Sequence, residues 1–413
     1  MKDHKPLNKI KAGLDFGKGL IPVGTLALRD GITYFEYDQA FLEKGLHISP
    51  FRLPLEPGLK SFESQFFEGL PGVFYDSLPD GWGRLLLDRL LKSHGHLSEE
   101  FSSLDRLAHV GVHGLGALIY EPDQNEKNIE GEIALDDLAK QTEVVLHGHA
   151  EDTLEELIAL NGSSAGARPK ALIGIDKSRR SIIHGKHMLP TDYEHWILKF
   201  PNSIDGLDAG AIEYVYSILA KEAGIEMNET YLFQAAKGAG YFATKRFDRN
   251  KSQRLHMHTA SGLVHSNFRT PSLDYEDLIS LTEALTRDVR EVEKMFRLAV
   301  FNILSHNRDD HGKNFSFLMD SNGEWKLSPS YDLTFSSGPG GHQSTMVMGE
   351  GKHPSKEHLM KLGQVAKLKK TTVTSILEQT QEALKHWHEL AQNYAVSKTN
   401  IKLIGERINQ TNR

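Results

Sequence analysis

The chain of 413 residues contains no cysteine. Disulfides, a thiolate nucleophile and Cys-ligated zinc or iron–sulfur centres are thereby excluded, and a reducing cytoplasm is the compartment expected. Long hydrophobic runs are missing as well: nothing approaches the roughly 18 uninterrupted apolar residues of a membrane span. A basic start, Met1 to Lys11, precedes a short apolar run from Gly19 to Val23, but Pro22, Gly24 and Thr25 interrupt it and make it a poor signal-peptide core. Positive charge is not in excess either. Lys+Arg 48 against Asp+Glu 55 leaves −7, so no overall basic field points to nucleic acid. Hydrophobic residues at 39% and charged residues at 25% describe a globular chain, long enough for two or three domains. A cytosolic enzyme or a binding protein remains.

Residues 12–37 alternate apolar and polar stretches around Arg29-Asp30-Gly31, which predicts strands joined by a hairpin turn. Leu70 to Arg84 is rich in turn residues and leads into an apolar helical run through Leu91, with Asp80 expected to cap that helix. The polar stretch Asp123–Glu132 suggests a boundary, and the chain divides on this reading into 1–125, 126–250 and 251–413. A small-residue loop, Asn161 to Ala167, precedes Arg168-Pro169-Lys170 and a strand from Ala171 to Ile175. A second strand, His195 to Phe200, carries Lys199 near its end. The helix after it sets Ile212, Val215, Leu219 and Ala223 on one face, with Glu213 in its first turn and Gly224 as its stop. Strands near 231–234 and 241–247 follow. Beyond Asp248-Arg249-Asn250 the period turns helical, and Val289, Val292, Phe296, Ala299 and Ile303 predict a buried helix. It ends just before the most polar motif of the chain, Asn307-Arg308-Asp309-Asp310-His311-Gly312-Lys313-Asn314. A hairpin around Asp-Ser-Asn-Gly and the segment Ser330-Tyr331-Asp332-Leu333 come next, and Val373 to Leu390 reads as an amphipathic helix. Among 21 histidines the best-spaced pair is His109 and His113, but Gly111 and Gly114 disfavour a helix there, so polar histidines are expected in place of a metal site.

Phosphoryl transfer needs a lysine on the nucleotide phosphates, oxygen ligands for magnesium and a carboxylate to receive the hydroxyl proton. Protein kinases present a phosphate loop, a strand lysine and a helix glutamate, then a catalytic Asp with an Asn five residues later. The same order stands here in Lys199, Glu213, Asp309 to Asn314, and Asp332 after a hairpin. The spacing favours Asp309 over Asp310, which is four residues from Asn314. Each residue alone has a blander explanation. A lysine at a strand end is usually solvated, Glu213 in a first turn complements the helix dipole by about 0.3–1 kcal/mol, and Asp332 suits a turn. Asp309, Asp310, His311, Lys313 and Asn314 together resist that explanation, because polar groups between a buried helix and an apolar strand are costly unless paired or solvated in a cleft. No G-x-G-x-x-G or Walker motif accompanies them; the small residues around Gly166 would let backbone N–H groups approach phosphates. An ATP-binding co-repressor without catalysis and a small-molecule kinase are the competing readings.

Several long motifs carry a more specific resemblance. They include Gly24-Thr25-Leu26, Leu70-Pro-Gly72, Leu78-Pro-Asp-Gly-Trp-Gly-Arg84, Ala165-Gly-Ala-Arg-Pro-Lys170, Asn307-Arg-Asp-Asp-His-Gly-Lys-Asn-Phe-Ser316 and Ser328-Pro-Ser-Tyr-Asp-Leu333. In this order, across nearly the whole chain, they resemble the HipA-type serine/threonine kinases, toxin components of bacterial type II toxin–antitoxin modules. The resemblance implies an α+β, two-lobed protein-kinase-like fold with an extra β-rich N-terminal subdomain and a C-terminal lobe dominated by helices. It implies ATP and Mg2+ as cofactors, Asp309 as the catalytic aspartate, Asn314 and Asp332 as magnesium ligands, and Lys199, with Glu213 as its helix partner, on the ATP phosphates. Phe247 falls at the adenine hinge, and Lys245 stands where a glutamate is sometimes found. Ser163, with Ser164 beside it, matches the autophosphorylated serine of the phosphate loop. Both serines, together with Gly166, Lys170, His311 and Tyr331 of the same motifs, are placed on the nucleotide. The implied partners are a helix-turn-helix antitoxin of HipB type, through which DNA is reached indirectly, and an aminoacyl-tRNA synthetase as protein substrate; no membrane is involved.

Overall fold

The computed structural model describes residues 6–63, 66–124, 131–147, 154–161, 166, 168–185, 188–202, 205–270 and 272–412. The chain forms two compact units, Met1–Asn202 with Ala243–His258 and Leu318–Gly323, and Ser203–Phe242 with Thr259–Phe317 and Glu324–Arg413.

The first unit opens with β1 (Lys9–Asp15), β2 (Leu20–Arg29) and β3 (Ile32–Tyr37). With β4 (Lys60–Phe62) and β5 (Leu118–Glu121) they make an antiparallel sheet of order β4-β3-β2-β1-β5. Arg29 pairs with Ile32, so Asp30-Gly31 is a two-residue turn with φ 53° and 77°. Asp-Gly tolerates both positive angles, which is why the hairpin closes at the expected place. Ile10, Ala12 and Leu14 are buried at alternate positions of β1, the pattern of a strand with one face on a core. The helix α1 (Gly81–Ser93) buries Leu86, Leu87, Leu90 and Leu91. The helix α2 (Ser103–Val110) is capped by Ser102 and stops at Gly111, φ 49°. His113 lies beyond that stop, so His109 and His113 do not share a helix.

Further along, β6 (Lys170–Asp176) lies between β7 (Ile182–His184) and β8 (Tyr193–Lys199), antiparallel to both. Burial runs unbroken from Lys170 to Ile175, so this strand reads as a continuous apolar run and not an alternation. Beside β8 is β9 (Tyr241–Lys245), whose Ala243–Lys245 part belongs to this unit.

In the second unit, α3 (Ala209–Glu222) buries Ile212, Val215, Tyr216 and Leu219 and ends before Gly224, φ 77°. The helix starts earlier than the sequence pattern suggests. Glu213 therefore stands in its second turn, where complementing the dipole no longer explains it. The helices α4 (Tyr275–Thr286) and α5 (Val289–Leu304) are capped by the carboxylates of Asp274 and Asp288. Val292, Phe296, Ala299 and Ile303 are buried, but Val289, the first residue of α5, is 64% exposed. A hairpin of β10 (Ser316–Met319) and β11 (Trp325–Leu327) turns at Gly323, φ 83°, and its Leu318–Gly323 part belongs to the first unit. The amphipathic run at 373–390 divides into α6 (Lys370–Lys385), packed on α3 and α5, and α7 (Trp387–Asn393). His386 makes the break, and Trp387 is buried with its indole N–H on the Ile401 carbonyl, 3.0 Å away. Among the described residues no helix is long and apolar enough to cross a membrane.

Candidate active site

The helix α5 delivers the polar motif. It closes at Ser305 and His306, which adopts φ 59°, and the chain then enters Asn307, buried with its amide donating to Asn302 Oδ1 at 3.0 Å. Adjacent aspartates take opposite environments. Asp309 is exposed, whereas Asp310 is 1% exposed. The Asp310 carboxylate accepts from the Tyr275 hydroxyl (2.7 Å), Gln343 Nε2 (3.0 Å) and the N–H groups of Ser344 (2.9 Å) and Thr345 (3.2 Å). Burial pushes its pKa up to about 6, although every one of these donors favours the charged form. A carboxylate enclosed in this way cannot approach a substrate hydroxyl; the Asp309 carboxylate is open to solvent.

The short turn Gly312–Asn314 folds back on that aspartate, and Asn314 Nδ2 donates to the Asp309 carbonyl at 2.7 Å. Tyr331 ties the next motif to this turn: its hydroxyl donates to the Lys313 carbonyl (2.6 Å) and lies 2.6 Å from Ser316 Oγ. Asp332, immediately after it, has φ 55°, a left-handed conformation that costs a non-glycine residue about 1–3 kcal/mol and persists only where the surroundings hold it. Tyr331 on one side, and the Ser330 N–H on the Glu226 carbonyl (2.8 Å), provide that hold. The His311 ring lies 5.6 Å from that of Phe268, and its Nδ1 is buried with no hydrogen-bond partner among the described residues. Lys313 Nζ stands 4.6 Å from the centre of the same Phe268 ring. Glu213 is buried on α3.

The first unit holds the lysines. Lys170 and Lys199 face each other across β6 and β8, 5% and 8% exposed. Like charges directly opposite destabilise a strand pair unless neighbouring groups offset them. Beside them is Gly166, φ 109°, where a Cβ would come within 2.5 Å of Lys170 Nζ. Its N–H is not available to phosphate. The Asp80 carboxylate accepts it, and the Trp82 N–H donates to the Gly166 carbonyl at 3.1 Å. Asp80 thus occupies the capping position of α1 without making a cap bond, contrary to the sequence expectation, because a residue far along the chain takes its carboxylate. Ser163 and Ser164 lie outside the described residues.

Phe247 is half-buried between Arg246 and Asp248, both buried. The Asp248 carboxylate accepts from Arg246 (2.9 and 2.7 Å), Arg249 (2.6 Å) and the Gly116 N–H (2.7 Å). Lys245 Nζ is 2.7 Å from Glu194 Oε1 on β8, so a strand neighbour meets its charge. A different constellation, Ser49 Oγ to His258 Nε2 (3.0 Å) and His258 Nδ1 to Asp76 Oδ2 (2.6 Å), has the bond order of a nucleophilic relay. Ser49 is 0% exposed, so the relay meets no substrate and serves as a buried polar link.

Sequence reasoning passed over the enclosure of Asp310 and the role of Asp80. The Leu78–Arg84 motif marked the second without revealing its partner. Strand order, the helical unit and the polar loop at the end of α5 together define an α+β, kinase-like fold. Residues 19–121 match the HipA N-terminal domain and residues 162–387 the HipA-like C-terminal domain. The chain belongs to the HipA family. It is 30% identical over 118 residues to the Y4mE protein of Sinorhizobium fredii, covering 24% of this chain and 26% of that one. Against the serine/threonine-protein kinase toxin HipA of Shewanella oneidensis it is 28% identical over 103 residues, 25% of this chain and 22% of that one. The matched stretches thus span about a quarter of these relatives. The solved complex of Shewanella oneidensis HipA, HipB and operator DNA matches with a TM-score of 0.70 at 16% identity, over 98% of this chain and 96% of that one, a likeness of fold.

Proposed function

We propose that the protein is a magnesium- and ATP-dependent serine/threonine protein kinase that acts as a growth-inhibiting toxin and is restrained by a DNA-binding antitoxin. The observation that carries this reading is the Asp309–Asn314 loop, an open carboxylate beside a sealed one, closed by the Asn314 amide on the Asp309 carbonyl. Asp309 takes the proton of the attacking hydroxyl. Asn314 and Asp332 supply oxygen ligands for Mg2+. Among the described residues no three His, Asp or Glu side chains form a metal cage, and an amide with one carboxylate suits an ion that takes its remaining oxygens from phosphate and water. The ion, when bound, offsets the charge on the transferring phosphoryl group. Lys170 and Lys199 hold the phosphates, Phe247 lies along the adenine, and His311 stands in the same polar loop as Asp309 beside the nucleotide. Tyr331, with its hydroxyl on Lys313 and Ser316, acts by placing Asp332.

The Shewanella oneidensis relative, solved with HipB and operator DNA, supports a HipB-type antitoxin as partner, and the net charge of −7 supports DNA contact through that partner. An aminoacyl-tRNA synthetase is the proposed protein substrate. Ser163, with Ser164 in reserve, is the proposed autophosphorylation site, where about −1.5 to −2 of added charge would repel ATP phosphates. Incubating the protein with radiolabelled ATP, Mg2+ and cell lysate tests the reading. Labelled protein is expected; a labelled small molecule would favour a small-molecule kinase, and no label at all a non-catalytic co-repressor.

A further inference from the structure

We propose that Asp80 is a positioning residue of the nucleotide site, holding Gly166 against Lys170 so that the lysine meets phosphate in a defined place; this rests on the nucleotide role proposed above for Lys170. Asp80 belongs to the Leu78-Pro-Asp-Gly-Trp-Gly-Arg84 motif, and the reaction itself has no use for that motif. At the start of a helix an aspartate ordinarily accepts an N–H of the first turn. Asp80 does not. Its carboxylate accepts the N–H of Gly166, 86 residues away in sequence, while the Trp82 N–H donates to the Gly166 carbonyl. Both main-chain polar groups of one glycine are therefore bracketed by residues 80–82. Asp80 is buried, so water does not dilute this charge-assisted bond.

Gly166 is where such a bracket matters. Its φ of 109° excludes a side chain, and the space a Cβ would fill is already taken by Lys170 Nζ. Displacing the Gly166 backbone would change what the Lys170 ammonium packs against at the start of β6, opposite Lys199. The link therefore runs from Asp80 through Gly166 to Lys170, without Asp80 touching the reacting atoms.

Steady-state kinetics and calorimetry with Mg-ATP test it on the full chain. Asp80→Ala should raise KM for ATP about tenfold, with kcat at saturating ATP changed by less than about twofold. Asp80→Asn keeps an acceptor oxygen for the Gly166 N–H and should return KM to within about threefold of the parent. Gly166→Ala, which pushes on Lys170 from the other partner, should raise KM as well, and Asp80→Ala combined with it should be less than additive. Asp80→Asn and Gly166→Ala alone keep the test intact should Asp80→Ala fail to fold. A lowered melting temperature with unchanged KM in the Asp80 variants would overturn the proposal and leave Asp80 a structural residue. Lys170→Ala weakening ATP beside an unchanged Asp80→Ala would also overturn it. Lys170→Ala with unchanged ATP affinity would instead remove the nucleotide reading of Lys170, and the proposal with it.

Discussion

Asp309 and Asp310 are neighbours in sequence and strangers in environment. Asp309→Asn should lower kcat about 10²–10⁴-fold, the range of a lost general base, with Mg-ATP affinity by calorimetry unchanged. Asp310→Asn should act on stability. An amide there turns an NH2 toward the Tyr275, Gln343, Ser344 and Thr345 donors, and unfolding should be easier by about 3 kcal/mol, while activity per folded molecule is largely kept. Loss of activity in the second variant and not the first would make Asp310 the base. His256 governs a different property. It is fully buried, with Nε2 2.9 Å from the Ile48 carbonyl, and burial, reinforced by His258, holds its pKa down to about 3. An unfolded histidine titrates near 6.5, so the unfolded state binds more protons from there down to about 3. Stability is accordingly full above pH 6.5 and falls as pH drops, by about 1.4 kcal/mol per pH unit for this proton. In urea titrations between pH 6.5 and 4, His256→Gln should flatten the slope by one proton; an unchanged slope would assign the acid sensitivity elsewhere.

At the scale of elements, register makes the lysine pair. Had β6 slipped one residue along β8, Lys170 and Lys199 would no longer face each other. Either lysine changed to Ala should weaken Mg-ATP binding about tenfold, with a shallower dependence on salt. The Tyr331 tether belongs to the same scale. Tyr331→Phe removes the hydroxyl from Lys313 and Ser316 and should lower kcat more than it raises KM for ATP, because Asp332 loses part of what holds its left-handed backbone. Equal effects on stability and activity would reduce Tyr331 to packing. Most of these elements were legible beforehand. The Asp30-Gly31 turn, the α5 periodicity and the Gly224 stop depend on residues within a few positions of one another. The break at His386 was not legible, because the apolar period carries on through it and Trp387 is drawn to the Ile401 carbonyl from outside the run.

Across the first unit as a whole, the Asp248 carboxylate joins segments 114–116 and 246–254. Arg249 donates to the Gly114 and Gly116 carbonyls, and Arg254 to Gly116, each within 3.1 Å. Burial alone would raise the Asp248 pKa, but Arg246 and Arg249 outweigh it and hold the carboxyl well below the usual carboxylate range. Asp248→Ala would leave buried guanidinium groups without that carboxylate and should cost about 3–5 kcal/mol in urea unfolding. A change below about 1 kcal/mol would mean that the carbonyls of 114–116 suffice.

The sequence by itself determined the order of the elements, the hairpin at Asp30-Gly31 and the five-residue interval from Asp309 to Asn314, since periodicity, turn chemistry and spacing act over short stretches of chain. It also carried the family, through motifs that keep their order. Tertiary structure alone decided that Asp310 is sealed by Gln343 and Thr345, that Lys170 faces Lys199, and that Asp80 holds Gly166 instead of capping its own helix. A buried charge takes whichever donors the fold brings within hydrogen-bond reach, and distance along the chain does not enter that choice.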